Sequence, residues 1–157
     1  MNAKLLTLAA SFAILAAGPA FAAPASPVSL VGGVKLEKTV TENGAQKTVL
    51  SEPKVVVPGD RLLFSTDYRN DGAVPVTNFV VTNPLPSAVT LAPEAAASTE
   101  VSVDGGKTWG KLADAKVSDG KGGLRAATTA DVTHVRWTIA AIAAGGSGTV
   151  GYHAIVR

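Results

Sequence analysis

Few residues in this sequence have the types and spacing that chemistry requires. There are two histidines, His134 and His153, and no cysteine. Each histidine alternates with apolar neighbours, His134 beside Val135 and His153 between Tyr152 and Ala154, so each belongs on the face opposite the core. On adjacent strands they would make a pair of imidazole ligands. A zinc or copper centre needs more donors than that, and no clustered carboxylates supply them. Neither a metal nor a cofactor is therefore expected. The hydroxyl residues lack a Gly-x-Ser-x-Gly elbow, and only a triad assembled from distant positions would remain. Asp104-Gly105-Gly106-Lys107 has neither the alternating carboxylates of a calcium loop nor the spacing of a phosphate loop. It reads as a tight hairpin turn.

The residue with the most scope is Trp109, placed at the end of that hairpin. An exposed indole face suits the apolar face of a sugar ring, so Trp109 is a candidate platform for a glycan. The competing expectation is that it folds back to plug one end of the fold, as large aromatics often do. Trp137 is different: Val135 and Ile139 share its face, which makes it core.

The elements that would position these residues are strands. Arg61 to Asn70 alternates strictly, with Leu62, Phe64, Thr66 and Tyr68 on one face, the period of a half-buried antiparallel strand. Val34 to Val40 and Gln46 to Leu50 flank Asn43-Gly44, a strong hairpin signal because both residues tolerate positive φ. Val55-Val56-Val57 runs into the turn Pro58-Gly59-Asp60. Asn78 to Thr82 is a strand stopped by Asn83-Pro84-Leu85-Pro86, and Val89 to Leu91 resumes briefly. Glu100 to Val103 enters the Trp109 hairpin. Lys116 to Thr129 is polar and glycine-rich, a long surface loop. Thr133 to Ile139 and Thr149 to Val156 complete the set, and Ala95-Ala96-Ala97 allows one helical turn. The spacing predicts an all-β fold, an immunoglobulin-like antiparallel β-sandwich of about seven to nine strands. Leu62, Phe64, Tyr68, Phe79, Val81, Val135, Trp137, Ile139, Val150 and Tyr152 are its expected core.

The chain has 157 residues, enough for one domain with a leader. Residues 1–22 read as a signal peptide: Lys4, an apolar run from Leu5 to Ala17, a break at Gly18-Pro19, and small residues at Ala20 and Ala22. The run is shorter than the ~20 residues a bilayer span needs, so no membrane anchor is expected after cleavage. Residues 23–28 read as a flexible linker and 29–157 as the sandwich. With 14 basic and 12 acidic residues, there is no basic field to hold nucleic acid. Export without cysteine leaves stability to packing, and the length suffices for a core.

The stretch from Val57-Pro58-Gly59-Asp60 through the alternating strand to Asn70-Asp71-Gly72, and on through Thr77 to Pro86, resembles the opening of the DUF11 family. This is the conserved repeat domain of bacterial and archaeal surface proteins. The Trp137 strand and the closing glycine turn and strand resemble its ending, so the likeness runs from about Val55 onward. It implies an immunoglobulin-like sandwich on exported proteins and carries over no catalytic residue. Two departures stand out: a single copy rather than an array, and Asn83 where the family more often has Asp.

These readings point to an exported, noncatalytic module, periplasmic or extracellular, with a structural or protein-interaction role. A carbohydrate-binding module using Trp109 is the alternative, and a small exported enzyme or metal carrier ranks below both. For partners, the candidates are an envelope or extracellular protein, or else weak self-association, with a glycan as a further candidate. If Tyr152 and Ala154 face inward, His153 and Ile155 face outward on the closing strand, which makes both candidate contacts. Val28 to Val31, apolar and following the linker, is a candidate for pairing with a neighbour's sheet edge. Otherwise it should pair within its own domain beside the closing strand.

Overall fold

The computed structural model describes residues 26–157. The leader and residues 23–25 of the linker lie outside the described residues. Ten strands form, all paired antiparallel, in two facing sheets and one small hairpin. The result is an all-β sandwich. The larger sheet has the order β2-β1-β3-β10-β5, made of β1 (Val28–Glu42), β2 (Ala45–Ser51), β3 (Arg61–Asn70), β5 (Val89–Leu91) and β10 (Ser147–Val156). The smaller has the order β4-β9-β6, made of β4 (Val76–Pro84), β6 (Glu100–Ser102) and β9 (His134–Ile142).

The turns form where the sequence places them. Asn43 and Gly44, with φ of 52° and 81°, join β1 to β2 in two residues, both in the left-handed region such hairpins require. At Pro58-Gly59-Asp60 the Asp60 carboxylate accepts from the Val57 amide at 2.9 Å, while the Asp60 amide donates to the Val57 carbonyl. Pro84 ends β4 as expected of a residue with no amide proton.

Alternation sets the inner faces. In the larger sheet Leu36, Leu62 and Ala154 stand in one row, and Val34, Phe64 and Tyr152 in the next. Opposite them Val81 pairs with Trp137, and Val135 meets Val101. Leu91, Val135 and Ala154 are completely buried. Tyr152 stacks on Phe64 at 5.0 Å and on Trp137 at 6.2 Å, so three aromatics bridge the sheets. Burial pushes the Tyr152 phenol up to about 12. Asn83 gains a role of its own: its Nδ2 donates to the Thr66 hydroxyl at 2.7 Å, one side chain from each sheet. A carboxylate there would have no proton to give.

Several expectations need correction. Val28 is buried and pairs with Asn70, so the domain begins at Val28 rather than after it. Val28 to Val31 does pair within its own domain, but with β3 and not with the closing strand β10. β10 lies between β3 and β5 at its end, where the three residues of β5 pair with Ala154 to Val156, while Ser147 to His153 pair with β3 alone among the described residues. The glycine-rich loop holds a small hairpin, β7 (Lys116–Ser118) with β8 (Leu124–Ala126), which brings the strands to ten. Val55 to Val57 lies outside any strand and is exposed. The alanine run forms α1 (Pro93–Ser98), whose Ala95 and Ala96 join the core.

The core is also shifted from its expected place. Phe64 and Trp137 are half-buried against the core, Tyr68, Phe79, Ile139 and Val150 are half-buried away from it, while Leu36, Val89, Leu91, Val101, Val132 and Ile142 are buried. Part of the shift has a local cause. Asn78 adopts φ 52°, and Asn78 and Ala140 drop out of the β4–β9 register. Beyond that break Ile142 turns inward and Ala141 is exposed. The rest follows from unequal strand number, since three strands cannot cover five.

Candidate functional site

Trp109 neither projects freely nor plugs an end of the sandwich. It is half-buried against the outer face of the smaller sheet, where β9 presents His134 and Arg136. The Arg136 guanidinium lies 4.6 Å from the centre of the indole ring, a cation–π contact. Arg136 is held from behind by Glu100 at 2.8 Å. The His134 ring meets the indole edge-on at 6.3 Å, and the indole Nε1 donates to the Gly106 carbonyl at 3.0 Å. One face and the polar tip of Trp109 are therefore engaged. Beside it Val101, Val103, Lys111 and Lys116 line an open cleft of about 260 Å³.

The loop carrying Trp109 is built on Asp104. Its carboxylate accepts from the Thr108 hydroxyl, the Thr108 and Lys107 amides and the Ser102 hydroxyl. Led by the Thr108 hydroxyl, these bonds hold the carboxyl well below the usual range. Its lone pairs are spent inside the loop, which gives Asp104 a structural role. The wider loop is tied by Val101 and Gly110, which exchange both main-chain bonds.

The two histidines stand on different sheets, His134 on β9 and His153 on β10. They cannot share a ligand as adjacent strands would allow. His153 lies on the outer face of the larger sheet, 2.9 Å from Glu37, which also accepts from Arg61 at 2.8 Å. Arg61 bonds Glu94 of α1 as well, and that bond, the largest influence on each, raises the Arg61 pKa and lowers that of Glu94. Ile155 pairs with Arg61 and Thr90 and is half-buried against the core cluster rather than projecting as an exposed contact. Of the sequence candidates, Trp109, His153 and Ile155 are thus dispersed over two faces, and each is partly engaged.

What the residues did not announce is a mismatch at the opposite side. The larger sheet overhangs the smaller at β1 and β2, and every residue of β2 is exposed. Leu30, Val40 and Val49 lie on the inward-facing rows of the overhang, yet are 48%, 41% and 38% exposed. Leu50 on the reverse face is also exposed, and so is the adjoining Val55 to Val57 loop. Where the overhang meets β4, Gly32, Val34, Phe64, Tyr152, Asn83 and Pro84 line a groove of about 390 Å³. Comparison with protein-family models, with curated proteins and with solved structures returns no match.

Proposed function

We propose that this protein is an exported, noncatalytic β-sandwich module whose role is contact with another protein, in the periplasm or outside the cell. The observation that carries the reading is the concentration of exposed aliphatic side chains at one end of the larger sheet: Val40 and Val49 on the inward face of the β1–β2 hairpin, Leu50 on its reverse face, then Val55 and Val57 in the adjoining loop. Apolar groups gathered in this way, rather than scattered, mark interaction surfaces. The signal-like residues 1–22 support export, and the likeness to DUF11 surface domains supports the setting.

Photo-cross-linking in cells tests the reading. A photoreactive residue at Leu50 should give a discrete protein adduct, and one at Lys121 in the exposed β7–β8 turn should not. No adduct from Leu50, or the same adducts from both, would contradict it. Export is checked by the mass of the protein from the cell envelope or medium, which should correspond to a chain starting at Ala23.

A glycan-binding role is the second reading, favoured by the cleft that Trp109 lines. Arg136 leaves the indole one face for a sugar. Glycan-array binding abolished in Trp109→Ala would move this reading to first place.

A further inference from the structure

The edges of the two sheets are not equally protected. β5 is three residues long, and Arg157 seals it: its amide bonds the Ala88 carbonyl and its guanidinium reaches the Val89 and Ala130 carbonyls. β6 is equally short, and Gly110 bridges to it. β2 carries Lys47, paired with Glu42 at 3.9 Å, and covers β1 only from Leu36 on, leaving Val28 to Lys35 paired with β3 alone among the described residues. β4 has none of these devices. It is nine residues long, pairs only with β9 among the described residues, and from Val76 to Asn83 contains no charge and no proline. Long uncharged edges are the ones that accept a further strand.

The space beside that edge is shaped for one. A strand added to β4 would lie over β1, where Gly32 and Gly33 contribute no side chains and Leu30 and Val34 turn inward. A second copy paired edge to edge through β4 would bring its own five-stranded sheet into the volume that β1 and β2 occupy, so the overhang favours a lone segment. Charge adds a further constraint. Lys38 lies on the same inward row as Val34, four residues on and past the buried Leu36, about 13 Å away at strand rise. It is exposed and has no ion-pair partner among the described residues. An antiparallel segment on β4 would begin at the Lys38 end and run towards Leu30.

We infer that the β4 edge and the overhanging face of β1 receive one extended segment of a partner protein, about nine residues long, with an acidic residue at its start and aliphatic residues at alternate positions. Main-chain bonds to β4 give affinity, and the aliphatic side chains seat against Val34 and Leu30. The inference rests on the protein-contact reading and assigns it a place.

The test uses the purified protein as the cell produces it and an acetylated, amidated peptide of aspartate followed by alternating threonine and valine, so that the aspartate and the valines share one face. Titration followed by amide NMR should shift β4 and the Gly32 to Val34 segment. A matching peptide with lysine in place of aspartate should bind about two- to fivefold more weakly, as a solvated rim charge pair does, and Lys38→Glu should reverse that order. Gly32→Leu fills the groove from a position where an added Cβ meets nothing within 4 Å, and should weaken binding about tenfold or more at an unchanged melting temperature. Failure of the aspartate peptide to bind, or equal binding to Gly32→Leu, would overturn the inference. So would β4 protection that grows with protein concentration without peptide, which would assign the edge to a second copy. Loss of peptide binding with the Leu50 cross-link intact sinks the strand site alone; loss of the cross-link sinks the contact reading beneath it.

Discussion

β3 divides the larger sheet into two parts that are covered unequally, since on the β1–β2 side only Val28 and Leu36 are buried. On one side β10 and β5 lie beneath β4, β9 and β6, and there Leu91, Val135 and Ala154 are wholly buried. On the other, the β1–β2 hairpin continues the same ladder with similar alternation, yet Val40 and Val49 meet solvent. Strand pattern decides which face a side chain takes. The number of strands opposite decides whether that face becomes core. A residue such as Val49 is thus free to serve contact, whereas Leu91 is committed to stability.

The sharpest way to break this comparison is to truncate on the covered side. Leu91→Ala should lower unfolding free energy by ~2–5 kcal/mol, the range for a fully buried leucine, measured by urea denaturation. A loss under about 1 kcal/mol would mean that the site collapses freely and is not packed as described. Next in size is Asn70, which is completely buried. Its amide group donates to the Val74, Ile142 and Ala143 carbonyls, and its oxygen accepts from the Gly72 amide. Asn70→Ala leaves these groups unpaired between β3, the following turn and the β9–β10 turn. It should cost ~2–3 kcal/mol. A neutral result would show that water replaces the side chain there.

A smaller effect belongs to Asp131, which accepts from both terminal guanidinium nitrogens of Arg125 and from the Thr128 amide and hydroxyl. The Arg125 bonds, ahead of the others, hold its carboxyl well below the usual range. Since the folded pKa is depressed, this stabilisation is complete above the unfolded value of about 3.9 and disappears as pH falls towards the folded one. Urea midpoints should therefore be flat from neutral pH to about 5 and fall below about 4. Asp131→Asn should start lower and fall less steeply, so that the curves converge in acid. Parallel curves would contradict the assignment. Smallest of all is Val49→Thr on the overhang, expected to change stability by less than about 0.5 kcal/mol. A cost above 1.5 kcal/mol would place Val49 in a core and erase the distinction between the two sides.

How much of this was legible in the residues follows the range of the interactions. Asn43-Gly44, Pro58-Gly59-Asp60 and the alternation from Leu62 to Tyr68 act within a few positions, and they form as read. The face of β9 was legible too: Val135 and Trp137 inward put Arg136 and His134 outward. That Trp109 would meet Arg136 depends on β6 pairing with β9, a contact between distant segments that periodicity does not encode. The same limit hid the neighbours of β10 and the overhang. Val40 and Val49 have the pattern of core residues, and only the count of strands facing them makes them surface. The absence of charge from Val76 to Asn83 was visible in the sequence, but its meaning depended on knowing that β4 is an edge.

Amide hydrogen exchange on the isolated protein addresses the unequal coverage most directly. The amides of β9 from His134 to Arg136, flanked by both β4 and β6, should exchange only on global unfolding. Every second amide of β4, those not bonded to β9, should exchange orders of magnitude faster, by local opening or none. Protection of all β4 amides to the level of β9 would show that the edge is already covered, and the open side proposed for contact would not exist.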